Sequence, residues 1–325
     1  MVVYPPFCMS KIRHRHDTCA NTLDTLAQVP PNSRVDLQKR ARSKWYTTAV
    51  VSRLKYVFNT KLRKYYSHAW NCNNEIIQDG RKLKSRYCNT RICNVCTRIR
   101  TAKLMNGYVD QIMQLEGVEF VTLTVKNCEE EDLRNIVDEM LKKITLITRN
   151  LREKKGIKVS GIRKIEITYN AFTDTFHPHL HLLVDKNAGN IYVEEWLKRN
   201  PSSKRQAQDV RKADKGSLAE IFKYTTKMVV RKNGQLNFYL EALNTILECL
   251  YKRRCFQPFG IVKMVSEEVD ELDCVEYDDL PEELGNPIVW EWNECDWVYQ
   301  KDTLTGYVPP EIEINFVAKK LVNQF

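Results

Sequence analysis

The chain has 325 residues, of which 43% are hydrophobic, so it is long and apolar enough to form one large domain or two to three smaller ones. Its net charge of +10 favours a polyanionic partner, usually nucleic acid, although a generally basic soluble surface has the same composition. No segment approaches the roughly 18 consecutive apolar residues of a membrane span, and the first residues do not resemble a signal peptide, so we expect a cytoplasmic protein without a membrane partner.

Residues 1–66 are predicted to form a basic N-terminal extension. Residues 1 to about 35 are expected to be loosely ordered around proline breakers, and one or two helices are expected from Asp36 to about Tyr66. In these helices lysines and arginines alternate with tryptophan and tyrosines, which is typical of backbone contact and base stacking on nucleic acid. A solvated helix face packed on the core is the alternative.

Residues 67–110 are predicted to form a cysteine-rich zinc-binding segment. Eleven cysteines without a secretion signal indicate reduced thiols or metal ligands rather than disulfides. Four of them have the spacing of a tetrahedral zinc site: Cys72, Cys88, Cys93 and Cys96. His68 could replace Cys72, and a redox pair or buried free thiols is the alternative. The surrounding basic residues, including Arg91 and Arg98, would meet phosphate, so we predict that they bind DNA.

A strand of β-branched residues is predicted at 120–127. The apolar residues that follow recur at helical spacing from Glu129 to about Lys155. A shorter helix is expected near Val193–Arg199.

Two further strands, at 162–169 and 176–184, are predicted to form a hairpin. Because side chains alternate along a strand, His179 and His181 share one face. A turn centred near residues 173–174 would place Glu166 opposite His181. Two imidazoles and a carboxylate suit Mg²⁺ or Mn²⁺ with coordination positions left open. The alternative is a pair of hydrogen-bonded core histidines and an ordinary exposed glutamate.

A capping box formed by Ser217 and Glu220 predicts the start of another helix. On it Glu220, Tyr224 and Lys227 fall on one face, because they are spaced by one and two helical turns. An acid, a phenol and an amine in one stripe are unusual for a core face. A plain amphipathic surface with a Glu–Lys pair is the alternative.

Residues 266–325 form an acidic C-terminal segment, with 16 acidic against 3 basic residues, so the chain before them carries a net charge of +23. Residues 266–285 look like a charged linker, whereas residues 289–316 contain aromatic residues that could add strands or a partner surface.

These motifs, in this order, resemble the rolling-circle replication initiator (Rep) proteins of small plasmids, which belong to the HUH endonuclease superfamily. The similarity is to the branch with one catalytic tyrosine and a glutamate four residues before it. The stretches that carry it are Phe120–Thr124, Phe176–His181, Glu220–Lys227, the cysteine cluster, and a weaker closing motif of Arg253-Arg254 and Phe259-Gly260. Tyr224 follows His181 by 43 residues, an order that fits initiators rather than conjugative relaxases.

The resemblance implies an α+β fold. We expect a central antiparallel sheet of about five strands, with helices on one face and the metal and Tyr224 on the other. This ferredoxin-like palm would form a nicking domain at residues 115–265, preceded by the zinc-binding segment.

The resemblance also implies the chemistry. Tyr224 would attack the scissile phosphate and form a 5′-phosphotyrosine link, with His179, His181 and Glu166 holding the divalent ion. Lys223 would contact the DNA, and Lys227 would offset phosphate charge. Glu220 would activate a water or a second attacking group to end the cycle.

The implied partner is single-stranded or extruded origin DNA. The sequence has no phosphate-loop motif, so a host helicase would have to unwind the duplex and a host polymerase would extend the free end. A homo-oligomer is possible. Two other functions stay open: a transposase of the same superfamily, and a non-enzymatic zinc-containing DNA-binding protein.

Overall fold

The computed structural model describes residues 31–222, 230–232, 235–269, 272–277, 280, 282, 285–310 and 314–317. Within these ranges the fold is α+β, with one six-stranded, one five-stranded and one three-stranded sheet. No helix in the described part is both long and apolar enough to cross a bilayer.

The helices and strands follow each other along the chain. The helices are α1 (Pro31–Leu54), α2 (Arg63–Asn71), α3 (Asn94–Met113), α4 (Glu130–Lys155), α5 (Gly189–Arg199), α6 (Lys215–Phe222) and α7 (Leu240–Leu250). The strands are β1 (Glu75–Asp79), β2 (Lys82–Arg86), β3 (Glu119–Thr124), β4 (Gly161–Asn170), β5 (Thr175–Val184), β6 (Asp209–Lys212), β7 (Val230–Lys232), β8 (Gln235–Tyr239), β9 (Phe256–Phe259), β10 (Leu272–Glu276), β11 (Ile288–Trp292), β12 (Trp297–Tyr299), β13 (Asp302–Thr303) and β14 (Ile314–Val317).

The five-stranded sheet is antiparallel throughout and has the order β6-β3-β5-β4-β9. Strand β5 lies at its centre and is buried along most of its length, which explains its run of apolar residues. The predicted class and the predicted number of strands in this sheet are therefore confirmed. The sequence did not indicate the other two sheets as separate layers.

Helix α4 packs on the face of this sheet that carries Leu180 and Leu182. Its buried residues recur at helical spacing: Leu133, Val137, Met140, Ile144, Ile147 and Leu151. Acidic residues occupy its first turn and basic residues its last, so both ends complement the helix dipole. Gly156 ends the helix in a left-handed conformation, with φ of 69°.

The opposite face, which carries the histidines, is also partly covered by helices. Phe222 of α6 packs between Tyr108 of α3 and Phe256 of β9, with ring centroids 5.8 and 5.9 Å apart. The expectation of helices on one face only was therefore incomplete. Phe222 and Tyr108 are large apolar side chains, and the sheet face beside the histidines supplies the surface that buries them.

The register of the β4–β5 hairpin differs from the prediction by two residues. Glu166 pairs with His179, and Lys164, rather than Glu166, pairs with His181. The turn is centred one residue earlier because the side chain of Asn170 accepts hydrogen bonds from the backbone N–H groups of Phe172 and Thr173. A shift of two residues preserves the faces, so Glu166 stays on the histidine side.

Helix α6 begins one turn earlier than predicted. The backbone N–H of Ser217 donates to the Asp214 carboxylate, at 2.6 Å, and the backbone N–H of Asp214 donates to the Ser217 hydroxyl, at 3.2 Å. The capping box is therefore Asp214 with Ser217, not Ser217 with Glu220.

The six-stranded sheet joins the cysteine-rich segment to the acidic C-terminal segment. Its order is β10-β2-β1-β11-β12-β13. Strand β10 falls where the sequence indicated a linker. An isolated two-stranded hairpin is only marginally stable in water. The β1–β2 hairpin is stabilised by pairing with β10 and β11, which complete a sheet with a buried core. Trp297 is fully buried there, and its indole N–H donates to the carbonyl of Asn73.

Candidate metal centre

Glu166 of β4 and His179 and His181 of β5 lie together on one face of the five-stranded sheet. Their ligand atoms all lie within 4.8 Å of one another. The two carboxylate oxygens of Glu166 are 3.9 Å from His179 Nε2 and 3.7 Å from His181 Nε2. The three residues are only 4%, 9% and 8% exposed. The geometry therefore brings together the three residues predicted to hold a divalent ion.

Hydrogen bonds to the other ring nitrogens orient both imidazoles. His179 Nδ1 lies 3.2 Å from the carbonyl oxygen of His177, which can only accept, so this nitrogen carries the proton. His181 Nδ1 lies 3.2 Å from the hydroxyl of Thr122. Nε2 of His179 is thereby left with a lone pair that faces Glu166, and Nε2 of His181 has the same form when its Nδ1 donates to Thr122. Fixing the tautomer through the second nitrogen is common among metal-binding histidines.

The protonation states suit a cation. Burial lowers the pKa of His181 to about 4 and also lowers the pKa of His179, so both rings are neutral at neutral pH. Burial by itself raises the pKa of Glu166, but the ammonium of Lys164 and the two histidines outweigh it and hold that pKa below its usual value. A neutral imidazole pair and an ionised carboxylate fit a divalent ion with open positions.

His177 does not join this group. Its Nε2 is hydrogen-bonded to the hydroxyl of Thr124, and it lies outside the set of residues whose ligand atoms converge. Three histidines on one strand face therefore have different surroundings.

The start of the Glu220–Lys227 stretch lies beside the centre. The backbone carbonyl of Glu220 is 3.5 Å from Lys164 Nζ, and the charge of the Glu220 carboxylate acts on His181. Glu220 is half-buried. Tyr224, Lys223 and Lys227 lie outside the described residues.

Sequence reasoning missed Lys164. It is completely buried, and its ammonium donates to Glu166 Oε2 at 2.9 Å. The sequence signal for this role was that Lys164 lies two residues before Glu166, so that both side chains share one strand face. Because that face is buried, the two side chains form an internal ion pair.

The four predicted zinc ligands also converge. The Sγ atoms of Cys72 and Cys96 are 3.5 Å apart, those of Cys88 and Cys96 are 3.6 Å apart, and all four sulfurs lie within 4.8 Å of one another. A tetrahedral zinc ion with Zn–S bonds of about 2.3 Å needs sulfurs about 3.8 Å apart, so the group fits that ion. His68 is exposed and is not a member of the group.

Each cysteine is positioned at the end of an element. Cys72 follows α2, Cys88 follows β2, Cys93 precedes α3, and Cys96 lies in its first turn. Backbone N–H groups of Cys88 and Thr90 point at the sulfurs of Cys72 and Cys88, at 3.3 and 3.4 Å. Such N–H groups stabilise negative charge on sulfur.

A buried lysine ties α1 to this cluster, which sequence reasoning also missed. Lys44 donates to the carbonyls of Trp70 and Cys72, both at 2.6 Å, and to the side chain of Asn74. Burial lowers the pKa of Lys44 to about 8, although the cysteines oppose this shift. The lysine was one of the basic helix residues that the sequence associated with DNA or a packed face, and here it is packed.

The two arginines predicted to bind DNA are engaged within the protein. Arg91 donates to the carbonyls of Leu250 and Arg253 and forms an ion pair with Glu267. Arg98 donates to the carbonyl of Lys39. DNA contact through either guanidinium would compete with these interactions.

The closing motif has an internal role as well. Arg253 forms a bidentate ion pair with Asp138 of α4. Gly260 has φ of 69°, and a Cβ at this position would lie 2.6 Å from Ser160 Cα. Only glycine fits this turn without displacing the backbone.

Fold and site together define a protein with an antiparallel sheet that carries a two-histidine, one-carboxylate centre, and with a separate four-cysteine cluster. A scan of protein families matches residues 80–200 to a family described as Replication protein. This match contains Glu166, His179, His181 and three of the four cysteines, and it ends before the Glu220–Lys227 stretch.

Curated relatives bear the name Protein rep. One from a Bacillus species is 30% identical over 236 residues, covering 58% of this chain and 74% of that protein. One from Streptococcus pneumoniae serotype 2 is 26% identical over 251 residues, covering 66% and 76%. One from Staphylococcus aureus is 28% identical over 172 residues, covering 46% and 74%. No solved structure matches the chain.

The chain belongs to the Rep family of plasmid rolling-circle replication proteins. This membership supports a role in the initiation of plasmid replication.

Proposed function

We propose that the protein nicks and rejoins one DNA strand at a plasmid origin, as an HUH endonuclease, to start and finish rolling-circle replication. The observation that carries the proposal is the convergence of Glu166, His179 and His181 within 4.8 Å. The family assignment supports the replication role, and residues 115–265 are proposed as the nicking domain.

Tyr224 is the proposed nucleophile. Its phenolic oxygen attacks the scissile phosphorus, the bond from phosphorus to the 3′ oxygen breaks, the phenolic proton passes to water, and the leaving 3′ oxygen takes up a proton from water. The products are a 5′-phosphotyrosine link and a 3′-OH that primes synthesis. A phenol with a pKa of about 10 needs assistance at neutral pH.

The centre supplies that assistance. Glu166, His179 and His181 would hold Mg²⁺ or Mn²⁺, and the bound ion would supply polarisation of the phosphate oxygens and charge compensation in the in-line transition state. Lys223 and Lys227 are proposed to contact the backbone and to neutralise phosphate charge, respectively.

Glu220 is the proposed base for termination. After the first cleavage Tyr224 is occupied, so a second attacking group is needed. Glu220 takes a proton from a water or from a second attacking group, which then attacks the tyrosine-linked phosphate and releases the strand. The Glu220 carbonyl lies 3.5 Å from Lys164 Nζ, next to the proposed metal ligands, and this closeness of the last turn of α6 supports the role proposed for Glu220.

The cysteine cluster is proposed to hold a structural Zn²⁺. Four cysteine ligands leave no open position, so this ion serves stability rather than catalysis. The proposed partners are single-stranded or extruded origin DNA, a host helicase and a host polymerase in the cytoplasm, with self-association as a further possibility.

The direct test is incubation with labelled single-stranded origin DNA and Mn²⁺, followed by denaturing electrophoresis. We expect a covalent protein–DNA adduct in the wild type and none in Tyr224→Phe. Tyr56→Phe is the matched control, because Tyr56 is an exposed tyrosine distant in sequence from the motifs. Wild-type binding without adduct would contradict the proposal and support a non-enzymatic DNA-binding protein.

A further inference from the structure

Lys164 is a buried cation inside the proposed cation site. It is completely buried, on the same face of β4 as Glu166 and directly opposite His181. Its ammonium donates to Glu166 Oε2 at 2.9 Å, and the only other hydrogen bond that it makes among the described residues, at 3.5 Å, is to the Glu220 carbonyl. One of the two oxygens available to a metal is therefore already engaged.

The formal charge of the site follows from these residues. Glu166 contributes −1 and Lys164 contributes +1, while His179 and His181 are neutral. The four side chains sum to zero. Sites that bind Mg²⁺ or Mn²⁺ usually provide carboxylates, and they commonly leave the remaining charge to substrate phosphates. The carboxylate of Glu220, whose charge acts on His181, adds one negative charge beside the four side chains, so a divalent ion would still bring a positive charge that the described side chains do not neutralise.

We infer that Lys164 makes metal binding depend on the DNA backbone: the ion binds weakly to the free protein and tightly once a phosphate is present. The inference rests on the proposed function, because it concerns the same metal centre and the same DNA. By linkage, the ion raises DNA affinity by the same factor. The free protein would therefore hold little metal, which links assembly of the complete site to the presence of DNA.

Oxygen geometry supports this division of roles. Glu166 Oε1 faces His179 Nε2 at 3.9 Å and has no hydrogen bond to Lys164, whereas Oε2 faces both His181 and the ammonium. Oε1 is therefore the oxygen available to an ion while Lys164 remains in place. Lys164 acts through Glu166 and is a positioning residue rather than a catalytic one, since its burial prevents contact with DNA from the surface.

The test measures Mn²⁺ affinity by the electron paramagnetic resonance signal of free Mn²⁺, in the Tyr224→Phe background so that DNA stays intact. Lys164→Met removes the charge with similar chain length. Measurements at pH 8 keep Glu166 ionised after its partner is lost. Lys158→Met is the matched control, because Lys158 is exposed and the substitution removes the same charge.

Without DNA, we expect Lys164→Met to bind Mn²⁺ at least about tenfold more tightly than the parent, and Lys158→Met to bind as the parent does. Adding single-stranded origin DNA should raise the Mn²⁺ affinity of the parent by at least about tenfold and that of Lys164→Met by much less. Equal or weaker binding by a folded Lys164→Met would overturn the inference.

Two further outcomes separate this inference from the proposed function. If Lys164→Met does not fold, the Mn²⁺ affinity of the parent with and without DNA decides. An affinity that DNA leaves unchanged would overturn the inference. If no variant binds Mn²⁺ with or without DNA, the proposed metal centre fails, and the inference fails with it. If Mn²⁺ binds, and the protein that retains Tyr224 forms the adduct, but Lys164→Met leaves the Mn²⁺ affinity unchanged, only the inference fails.

Discussion

The three histidines of β5 differ in what their ring nitrogens contact. His179 and His181 direct Nε2 at Glu166, whereas His177 uses Nε2 to bond Thr124. We predict that His179→Gln and His181→Gln each lower the nicking rate by about a hundredfold or more. Loss of a residue that only hydrogen-bonds to a metal ligand already lowers metal affinity or activity by about ten- to a hundredfold, and loss of a ligand itself should cost at least as much. His177→Gln is the matched control and should stay within a few-fold of wild type. Equal losses for all three would contradict the assignment of ligands.

The same residues predict a pH dependence of metal binding. Burial lowers the pKa of His181 to about 4 and lowers that of His179, so protons compete with the ion only in acid. We expect Mn²⁺ affinity, measured by the same resonance signal, to change little between pH 7.5 and pH 6 and to fall toward pH 4. If both histidines had ordinary pKa values near 6.5, the Mn²⁺ affinity would fall about tenfold or more by pH 6. That result would contradict the burial of the site.

The lowered pKa of His181 also determines how the free energy of unfolding of the metal-free protein changes with pH. The unfolded chain takes up a proton on His181 near pH 6.5, whereas the folded chain does so only near pH 4. The unfolded state therefore binds more protons between these values, and the contribution of His181 to the free energy of unfolding declines as the pH falls from about 6.5 toward 4.

At the scale of elements, the cysteine cluster joins α1, α2, β2 and α3, and Lys44 is the cross-link from α1. Loss of its ammonium would leave the carbonyls of Trp70 and Cys72 without this donor. We predict that Lys44→Met lowers the free energy of unfolding by about 2 kcal/mol or more in urea titrations. Lys39→Met on the same helix should change it by less than about 0.5 kcal/mol, because the Lys39 ammonium forms an exposed pair with Asp36 and no other ion pair among the described residues. A similar small effect for both would contradict the role of Lys44.

Metal content tests the cluster itself. We predict one zinc per chain by elemental analysis and loss of that zinc in Cys96→Ser, because three sulfurs hold the ion poorly. Cys295→Ser is the control, since Cys295 lies outside the group of four sulfurs. Full zinc content in Cys96→Ser would show that the four sulfurs do not form the site.

The predictability of the fold differs between elements for physical reasons. Strong periodicity predicted α4 to within a residue and predicted β3, β4 and β5, because burial of one face dictates the pattern. The predicted register of the hairpin was wrong by two residues, because hydrogen bonds to the Asn170 side chain determine the turn. The predicted start of α6 was wrong by about one turn, because a hydrogen bond to the Asp214 side chain determines where the helix begins. The sequence contains other residues that could form similar local hydrogen bonds, such as Ser217 with Glu220, so the sequence pattern alone does not decide between them.

The candidate site was predictable in part. His179, His181 and Glu166 share a strand face, so alternation alone grouped them. Lys164 and Lys44 were not predicted as buried, because a lysine is exposed in most contexts and only the tertiary structure supplies their acceptors.

At the scale of the whole molecule, the acidic C-terminal segment is built into the fold. Strands β10 and β11 flank the β1–β2 hairpin, and the buried Trp297 bonds the backbone beside Cys72. Deleting residues 266–325 would therefore unfold the cysteine-rich segment as well as remove charge, so deletion cannot measure the electrostatic effect of this segment on DNA binding.

Charge substitutions test that effect instead. Glu276, Glu291 and Glu294 are exposed on or beside these strands. We predict that replacing all three by glutamine tightens nonspecific DNA binding by about threefold at low salt, because it reduces repulsion of phosphate. The difference should vanish at high salt, where charges are screened, while the melting temperature stays unchanged. No change at low salt would contradict electrostatic repulsion of DNA by the acidic segment.

Tyr224 is the proposed point of covalent attachment to DNA, under control of the Glu166–His179–His181 centre. The most direct measurement is mass spectrometry of proteolytic peptides after reaction with single-stranded origin DNA and Mn²⁺. We predict a 5′-phosphonucleotide on Tyr224, present with Mn²⁺ and absent in His181→Gln. An adduct on another residue, or none in a protein that binds both Mn²⁺ and DNA, would contradict the account.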